Sequence, residues 1–369
     1  MKRFLRLIAK DYDPYLLLAV FLLGCLGSLS VFSASYSGGV SPLFFKQLAY
    51  FIVGLFVLFF LSRLNFKLIY DMAPAFYFVN LFLLMLVPFV GKTVYGAKRW
   101  LDLGPFNLQP SEFMKFSLAL FLLYTLEHIK RLRSKETLIL LSSLAMPTFL
   151  VFKQPDLGTA ITYLVVFISL LFLKGIRLRY FFFAGLVLLA SSPFLWHLLK
   201  DYQKKRIFAL FDPYEDYHHS GYQLIQSMIA VGSGGLTGKG FLKGTQSQLF
   251  FLPEKHTDFI FAVFAEEWGL LGSLLMVSLL FFVCLRIAYY AYRLEPSPER
   301  LFLGAFASLW LFQVSVNLLM TMGLMPVVGI PLPFISYGGS AMLTFSAFLG
   351  VSFAVIRDIR NRPIKFEDG

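Results

Sequence analysis

The sequence predicts an all-α polytopic membrane protein, with about ten transmembrane helices and a long extracytoplasmic loop between helices 7 and 8. The chain is 58% hydrophobic and contains 44 phenylalanines, and its mean hydropathy is +0.71. Soluble domains of this length do not have such a composition, whereas bundles of membrane helices do. Apolar segments of bilayer length recur along the chain, and basic residues concentrate in alternate connections between them.

Each predicted helix is an apolar run of roughly 17 to 25 residues, the length that crosses a bilayer. The first run follows a basic start, Met1 to Lys10, without a convincing small-residue cleavage site, so we expect it to be retained. Cys25 and Cys284 lie inside such runs and are expected to pack there, in neither a disulfide framework nor a metal cluster. The predicted spans are 15–34, 44–62, 69–90, 110–127, 136–152, 156–174, 179–198, 260–286, 301–324 and 339–357.

The distribution of positive charge predicts the topology. The basic connections are 2–10, 63–67, 130–135, 174–179, 286–300 and 357–365, and the connections between them carry few lysines or arginines. Under the positive-inside rule, both termini are then cytoplasmic. The net charge of +12 is therefore mainly topological and does not indicate nucleic-acid binding. It also favours attraction to anionic lipid at the inner leaflet.

The predicted outer side of the protein carries the longer connections. Residues 199–257 form the largest, and loops of this length in compact proteins are usually functional or disordered. Its apolar content argues against disorder, and Tyr222, Ile225 and Ile229 share one face of a short predicted surface helix. The connections 91–109 and 325–340 are rich in turn-forming residues. Non-helical backbone at membrane depth needs protein or water to satisfy its amides, so we expect these connections to line an outward-facing cavity. We expect residues 1–369 to form one integral-membrane domain.

Asp258 is the strongest catalytic candidate in the sequence. It follows Thr257 and precedes an apolar stretch, so partial desolvation is expected to raise its pKa and make it a better general base. Aspartate is also a preferred N-cap, which leaves a purely structural role equally open. Glu266 and Glu267, a few turns further on, are expected to belong to a structural network or to the cavity wall.

Several cations are candidates for binding a phosphate. Arg99 suits bidentate phosphate recognition, although an arginine beside Trp100 also fits an ordinary interface anchor. Arg206, Lys239 and Lys243 extend the same positive region, the two lysines within a glycine-rich loop whose amides could approach an anion. His256 is a candidate proton carrier, but a lone histidine beside a loop is more often structural.

Two further charged groups lie at predicted helix starts. Glu112 and Lys115 are three residues apart, so they share a helix face and can form an ion pair. Asp156 follows a proline at the next such start, where an N-cap and a cavity role remain equally open. No cysteine or histidine spacing in the sequence indicates a metal site.

The residues above belong to motifs that occur in order along almost the whole chain. Together they resemble the bacterial SEDS family (shape, elongation, division and sporulation), and the segment 244–254 is more similar to its elongation branch than to its division branch. Lys255 and Trp268 are small departures from the family pattern. The motifs are Arg99-Trp100, Leu103-Gly104-Pro105-Phe106, Gln109-Pro110-Ser111-Glu112-Phe113-Met114-Lys115, Gln154-Pro155-Asp156-Leu157-Gly158-Thr159-Ala160, His256-Thr257-Asp258-Phe259-Ile260-Phe261-Ala262 and Pro331-Leu332-Pro333-Phe334-Ile335-Ser336-Tyr337-Gly338-Gly339-Ser340.

The resemblance implies a ten-helix polymerase of the inner membrane that joins lipid II units into peptidoglycan strands. It also implies a class B penicillin-binding protein as transpeptidase partner. It places the essential aspartate at Asp258 and other cavity residues at Arg99, Glu112, Lys115 and Asp156. We expect Asp258 to deprotonate the acceptor hydroxyl while Arg99 and Lys115 stabilise the departing pyrophosphate, with a divalent cation (Mg²⁺ or Mn²⁺) as an optional further charge.

Two other functions fit parts of the sequence. A flippase for the lipid-linked precursor would also need buried charges and broken helices around a cavity. A non-enzymatic scaffold for cell-wall enzymes would tolerate loss of the cavity charges, whereas a polymerase would not.

Overall fold

The computed structural model describes residues 11–94, 97–102, 104, 106–128, 134–214, 220–249 and 251–361. Within these residues the protein is a helical bundle. Each predicted span coincides with a helix, and the third is split at Met72 into a short helix and a long one. In chain order the elements are α1 (Pro14–Ser35), α2 (Pro42–Arg63), α3 (Phe66–Asp71), α4 (Ala73–Val90), β1 (Lys92–Val94), β2 (Ala97–Asp102), β3 (Asn107–Leu108), α5 (Pro110–His128), α6 (Ser134–Lys153), α7 (Leu157–Leu173), α8 (Leu178–Leu198), α9 (Asp201–Phe211), α10 (Ser220–Ser233), α11 (Thr245–Gln248), α12 (Ile260–Arg293), α13 (Pro298–Thr321) and α14 (Gly339–Asn361).

Membrane crossing is supported by length and hydropathy. Among the described residues, α1, α2, α4, α12, α13 and α14 are long and apolar enough to cross a membrane, and α6, α7 and α8 contain shorter apolar stretches. The tenth, α5, is 19 residues long but carries Glu112, Lys115 and Glu127. The prediction of about ten membrane helices is confirmed.

The core lies where α12, α13 and α14 meet the N-terminal half of the chain. Helix α14 packs along α2, α13 packs on α7 and α12, and α4 packs on α5. Phe306 and Phe348 stack between α13 and α14 with their ring centroids 4.7 Å apart. Helix α8 is different, because nearly all its described residues are exposed and it shares little surface with its neighbours. The bundle is therefore well packed except on the flank beside α8.

The connection 91–109 is more regular than the sequence predicts. Instead of irregular turns it contains a small antiparallel sheet in the order β1–β2–β3, which makes the all-α description incomplete. The pairing of Lys92 with Trp100 and of Leu101 with Leu108 satisfies the backbone of this segment. This sheet presents Arg99 from its middle strand towards the start of α7.

The predicted short surface helix exists as α10, and part of its predicted apolar face is buried against the bundle. Leu224, Ile225, Ser227 and Ala230 are buried, whereas Met228 and Ile229 are exposed. Ser227 donates a hydrogen bond to the carbonyl of Thr321 at 2.8 Å. Of the predicted apolar face, Ile225 is therefore buried and Ile229 is exposed, because α10 packs on α12 and α13.

Helix α12 is broken at Gly269, where φ is 64° and ψ is −163°. This conformation is accessible almost only to glycine. The glycine-rich segment 234–240 satisfies the freed backbone groups, since Lys239 N donates to Glu266 O and Leu270 N donates to Gly235 O at 3.0 and 2.8 Å. The single continuous span predicted for 260–286 is therefore two helical segments joined by a loop that reaches into the break.

Some sequence predictions concern positions outside the described residues. These are the basic segments 2–10 and 362–365, most of the basic connection 130–135, and the positions Leu103 and Pro105 of one motif.

Candidate active site

Asp258 lies in a tight turn just before α12. The backbone amides of Thr257 and Phe259 both donate to the carbonyl of Glu254, and the Thr257 hydroxyl donates to the Glu254 carboxylate at 3.0 Å. The N-cap of α12 is Phe259, and no side chain caps the helix. The N-cap interpretation of Asp258 is therefore wrong, and its carboxylate is available for another role.

The surroundings of Asp258 raise its pKa and leave its carboxylate accessible, as a general base requires. Its pKa is raised to about 6, chiefly by burial and also by the nearby Glu254 and Asp156 carboxylates, while Arg206 and Arg99 oppose the rise. The side chain is nevertheless only half-buried, so it keeps access to the space beside it. A carboxylate with a pKa near 6 is largely ionised at neutral pH and is a stronger proton acceptor than an ordinary aspartate.

Two arginines reach this site from different parts of the chain. Arg99 on β2 donates to the carbonyls of Gln154 and Pro155, at the start of α7. Arg206 on α9 donates to the carbonyl of Val327 at 3.1 Å. The sequence placed these two cations in one positive region, and the structure brings both close enough to lower the pKa of Asp258.

Asp156 caps α7, as one of the two sequence-based alternatives proposes. Its Oδ1 accepts from the Thr159 amide at 3.2 Å and its Oδ2 accepts from the Thr159 hydroxyl at 3.0 Å. Gln109 approaches the same Oδ2 at 3.5 Å. The capped start of α7 is thus fixed at the site, where the Asp156 charge raises the pKa of Asp258. Direct contact between Asp156 and a substrate stays a prediction.

Glu112 and Lys115 form the predicted ion pair, and it is deeply buried. Lys115 Nζ lies 2.7 Å from Glu112 Oε1, and the two side chains are 1% and 4% exposed. The Tyr163 hydroxyl donates to the Ser111 carbonyl and thereby joins α7 to the first turn of α5. Because Lys115 is committed to Glu112, its contribution to binding pyrophosphate stays a prediction.

Lys239 belongs to a second polar cluster. Its ammonium lies 2.6 Å from Glu266 Oε1, which also accepts from Thr245 Oγ1 and the Gln246 amide at 3.0 Å. Glu267 accepts from the Leu242 amide at 3.2 Å. The structural network expected for these two glutamates is therefore present. It holds the glycine-rich loop in the break of α12, and it leaves Lys243 exposed on that loop.

His256 lies on the other side of the turn. Its carbonyl accepts from the Tyr337 amide at 2.9 Å, and the two rings meet edge to face with their centroids 5.9 Å apart. Burial lowers the pKa of His256, so the ring is neutral near pH 7. These contacts favour the structural interpretation of this residue, and a proton-carrier role stays a prediction.

Asn317 is the site residue that the sequence analysis missed. This fully buried residue of α13 donates through Nδ2 both to the carbonyl of Asp258 at 3.0 Å and to that of Ile330 at 2.8 Å. A Cβ added to the neighbouring Gly329 would lie 3.3 Å from Asp258 Oδ2. One amide thus joins the turn that carries Asp258 to the loop 325–338 opposite it.

Loss of this double hydrogen bond should misplace Asp258. We expect Asn317→Leu to lower kcat by about 10- to 100-fold with little change in KM, because a displacement near 1 Å costs about that much in rate. Gln313→Leu is the matched control, since Gln313 lies one turn away, is fully buried and has no hydrogen-bond partner within the described chain. Steady-state kinetics of both variants test the role, and an equal loss of kcat in the control would contradict it.

A metal site is not preformed in the described residues. No group of three or more histidine, cysteine, aspartate or glutamate side chains there converges closely enough to hold an ion. Asp156 and Glu254 act electrostatically on Asp258, and both carboxylates accept hydrogen bonds from protein hydroxyls, those of Thr159 and Thr257. A divalent cation would therefore need ligands from the substrate, which a pyrophosphate can supply.

The chain matches one family model along nearly its whole length. The FtsW–RodA–SpoVE family, described as cell cycle proteins, matches residues 14–361. Among curated relatives, peptidoglycan glycosyltransferase MrdB of Escherichia coli is 39% identical over 345 residues, which is 93% of each chain. A protein of Coxiella burnetii named probable peptidoglycan glycosyltransferase FtsW is 37% identical over 368 residues, covering 96% of this chain and 98% of its own.

Solved structures agree with the fold. One chain, from a study of how a peptidoglycan synthase complex coordinates polymerisation and crosslinking, superposes with a TM-score of 0.80 at 33% identity and covers 95% of this chain and 99% of its own. The rod shape determining protein RodA of Thermus thermophilus superposes with a TM-score of 0.70 at 30% identity and covers 95% and 98% of the two chains.

Proposed function

Because the chain belongs to the FtsW–RodA–SpoVE family, also called SEDS, we propose that it polymerises lipid II into glycan strands with Asp258 as the general base. It is a peptidoglycan glycosyltransferase and a multi-pass protein of the bacterial inner membrane. The observation that carries the catalytic proposal is a half-buried carboxylate of raised pKa, opposed by two arginines.

The chemistry needs one base and a stabilised leaving group. Asp258 accepts the proton of the acceptor sugar hydroxyl as that oxygen bonds to the anomeric carbon of the donor. The bond from that carbon to the pyrophosphate oxygen breaks, and undecaprenyl pyrophosphate departs with its electron pair. Arg99 and Arg206 face the site and neutralise the charge that develops there. A single displacement of this kind inverts the configuration at the anomeric carbon.

The site opens to the outer face of the membrane in this proposal. The basic connections lie at the other ends of the helices, which supports cytoplasmic termini and an extracytoplasmic loop at 199–257. Helix α8 packs loosely beside the bundle, since its described residues are nearly all exposed, and we propose this flank as the entry for the donor. A lipid-linked donor can approach from the bilayer along this flank and keep its polyprenyl chain in the lipid.

The partner follows from the chemistry of the product. New glycan strands must be crosslinked by a transpeptidase, and we propose a class B penicillin-binding protein as that partner. The similarity to a chain of a peptidoglycan synthase complex that couples polymerisation to crosslinking supports this assignment. The likeness to a rod shape determining protein supports action during cell elongation.

Strand synthesis in detergent distinguishes the polymerase from its rivals. We expect the purified chain, supplied with lipid II in micelles and assayed with and without the transpeptidase, to form polymer that resolves as a ladder on a gel. A flippase needs a sealed membrane and forms no polymer in micelles, and neither does a scaffold. Absence of polymer both alone and with the partner, and before and after addition of Mg²⁺ or Mn²⁺, would overturn the proposal.

A further inference from the structure

A cavity of about 330 Å³ lies at the end of α7 opposite the active site. We call it the inner pocket, and its lining includes Glu127, Leu173, Lys174, Ser297, Arg300 and Leu301. Asp156 caps one end of α7 and Lys174 caps the other, and the 17 residues between them span about 26 Å at about 1.5 Å per residue. The inner pocket is therefore separate from the site around Asp258. It lies at the basic ends of the helices, which the positive-inside rule predicts to be cytoplasmic.

The walls of the inner pocket are amphipathic. Its floor is apolar, because Leu301 is buried and Leu173 packs so closely on α13 that a Cβ added at Gly304 would lie 2.5 Å from its Cδ1. Its mouth carries the charged ends of Lys174, Arg300 and Glu127, which sum to one net positive charge. A free aqueous anion has no apolar surface to bury against this floor, whereas the glycerol and first methylenes of a lipid can pack on it.

Arg300 has unused capacity to bind an anion. The one hydrogen bond that the described chain gives its guanidinium is long, from Nη1 to the Leu294 carbonyl at 3.5 Å. Lys174, by contrast, is paired with Glu127. Arg300 also lies in the first turn of α13, a 24-residue helix capped by Ser297, where the helix dipole favours negative charge even with Glu299 beside it. A guanidinium of this kind suits the two oxygens of a phosphodiester.

We propose that the inner pocket binds the headgroup of an anionic membrane phospholipid, with Arg300 as its principal phosphate ligand and Lys174 as a second. Basic pockets between transmembrane helices on the cytoplasmic side are suited to such headgroups. The bound lipid would join the ends of α5 and α7 to the start of α13. This inference does not depend on the function proposed for Asp258.

The test uses the full chain, stripped of lipid in detergent and titrated with phosphatidylglycerol or phosphatidylcholine under native mass spectrometry. We expect phosphatidylglycerol to bind more tightly, and Arg300→Gln to weaken it about fivefold, since one basic residue near the surface contributes about 1 kcal/mol. The double variant Lys174→Gln/Arg300→Gln should weaken it about 25-fold on the same basis. Arg300→Lys, which keeps the charge, should retain most of the binding and shows that the position tolerates substitution.

Arg293→Gln is the matched control, because Arg293 lies in the last turn of α12 on the same side but does not line the inner pocket. Its titration should stay close to that of the unchanged chain. The proposal is overturned if Arg293→Gln and Arg300→Gln weaken phosphatidylglycerol equally, which would mean diffuse attraction only. It is also overturned if the two lipids bind equally, or if inorganic phosphate alone at the same concentration displaces phosphatidylglycerol. Denaturant unfolding of Arg300→Gln in mixed micelles, close to that of the unchanged chain, would show that this variant is folded.

Discussion

Asp258→Asn is expected to lower the rate of strand synthesis by about 10²- to 10⁴-fold, the contribution typical of a positioned general base. The amide keeps the shape of the side chain and cannot accept the proton. Burial costs less free energy for the neutral amide than for the carboxylate, whose pKa is raised to about 6. The variant should therefore be at least as stable as the unchanged chain at neutral pH. The measurement is the initial rate of polymer formation from lipid II by purified protein at pH 7.5.

Two controls make this result specific to Asp258. Glu295→Gln removes an exposed carboxylate between α12 and α13, far from the site, and should leave the rate unchanged. Asp258→Glu keeps the charge but lengthens the side chain. The space is narrow there, since a Cβ added at Gly329 would lie 3.3 Å from Asp258 Oδ2. The rate of Asp258→Glu should therefore lie between those of the unchanged chain and Asp258→Asn. An Asp258→Asn enzyme with the rate of the unchanged chain would remove Asp258 from the mechanism.

Lys115→Met is expected to destabilise the fold by about 3–5 kcal/mol, the loss typical when one partner of a buried ion pair is removed. Glu112 would then be an uncompensated buried charge, and its Oε2 already has no hydrogen-bond partner among the described residues. Stability can be measured by denaturant unfolding in mixed micelles. This is the largest effect on stability that we expect from a single substitution in the site region.

A double variant separates the ion pair from its packing. Glu112→Gln/Lys115→Met should recover a large part of the lost stability, because it removes both charges. Lys92→Met, which breaks the exposed pair of Lys92 with Asp102, should leave stability nearly unchanged, because solvent screens that pair. A loss for Lys115→Met as small as that of Lys92→Met would show that the buried pair does not stabilise the bundle.

The sequence predicted those features that depend on composition and length. The ten spans follow from bilayer thickness, and their bounds agree closely with the helices. Asp258, Arg99 and Arg206 were correctly placed in one region, because an acid and several cations near predicted outer helix ends have few alternative locations. The Glu112–Lys115 pair followed from local spacing, which needs no tertiary information, and so did capping by Asp156 as one of two alternatives.

The remaining features depend on which segments meet in three dimensions. Lys239 was grouped with the phosphate ligands because nothing local indicates that Gly269 breaks α12 and admits the glycine-rich loop beside Glu266. Asn317 was missed because it interrupts an apolar span whose neighbours are known only from the fold. A signal was present, since polar residues inside membrane spans are uncommon and usually functional. The buried face of α10 likewise depends on α12 and α13, which its own periodicity does not reveal.

The pH dependence of the initial rate, compared between the unchanged chain and Asp258→Asn, tests the central claim most directly. A base with a pKa of about 6 is protonated below that pH, so the rate should fall as the pH drops through about 6 and approach a tenfold loss for each further unit. Asp258→Asn should not show this fall in rate below about pH 6, and it should keep only a slow rate that changes little with pH over the same range. The account would be contradicted if the rate of the unchanged chain were constant between pH 5 and 8. It would also be contradicted if the rate of Asp258→Asn still fell as the pH dropped through about 6.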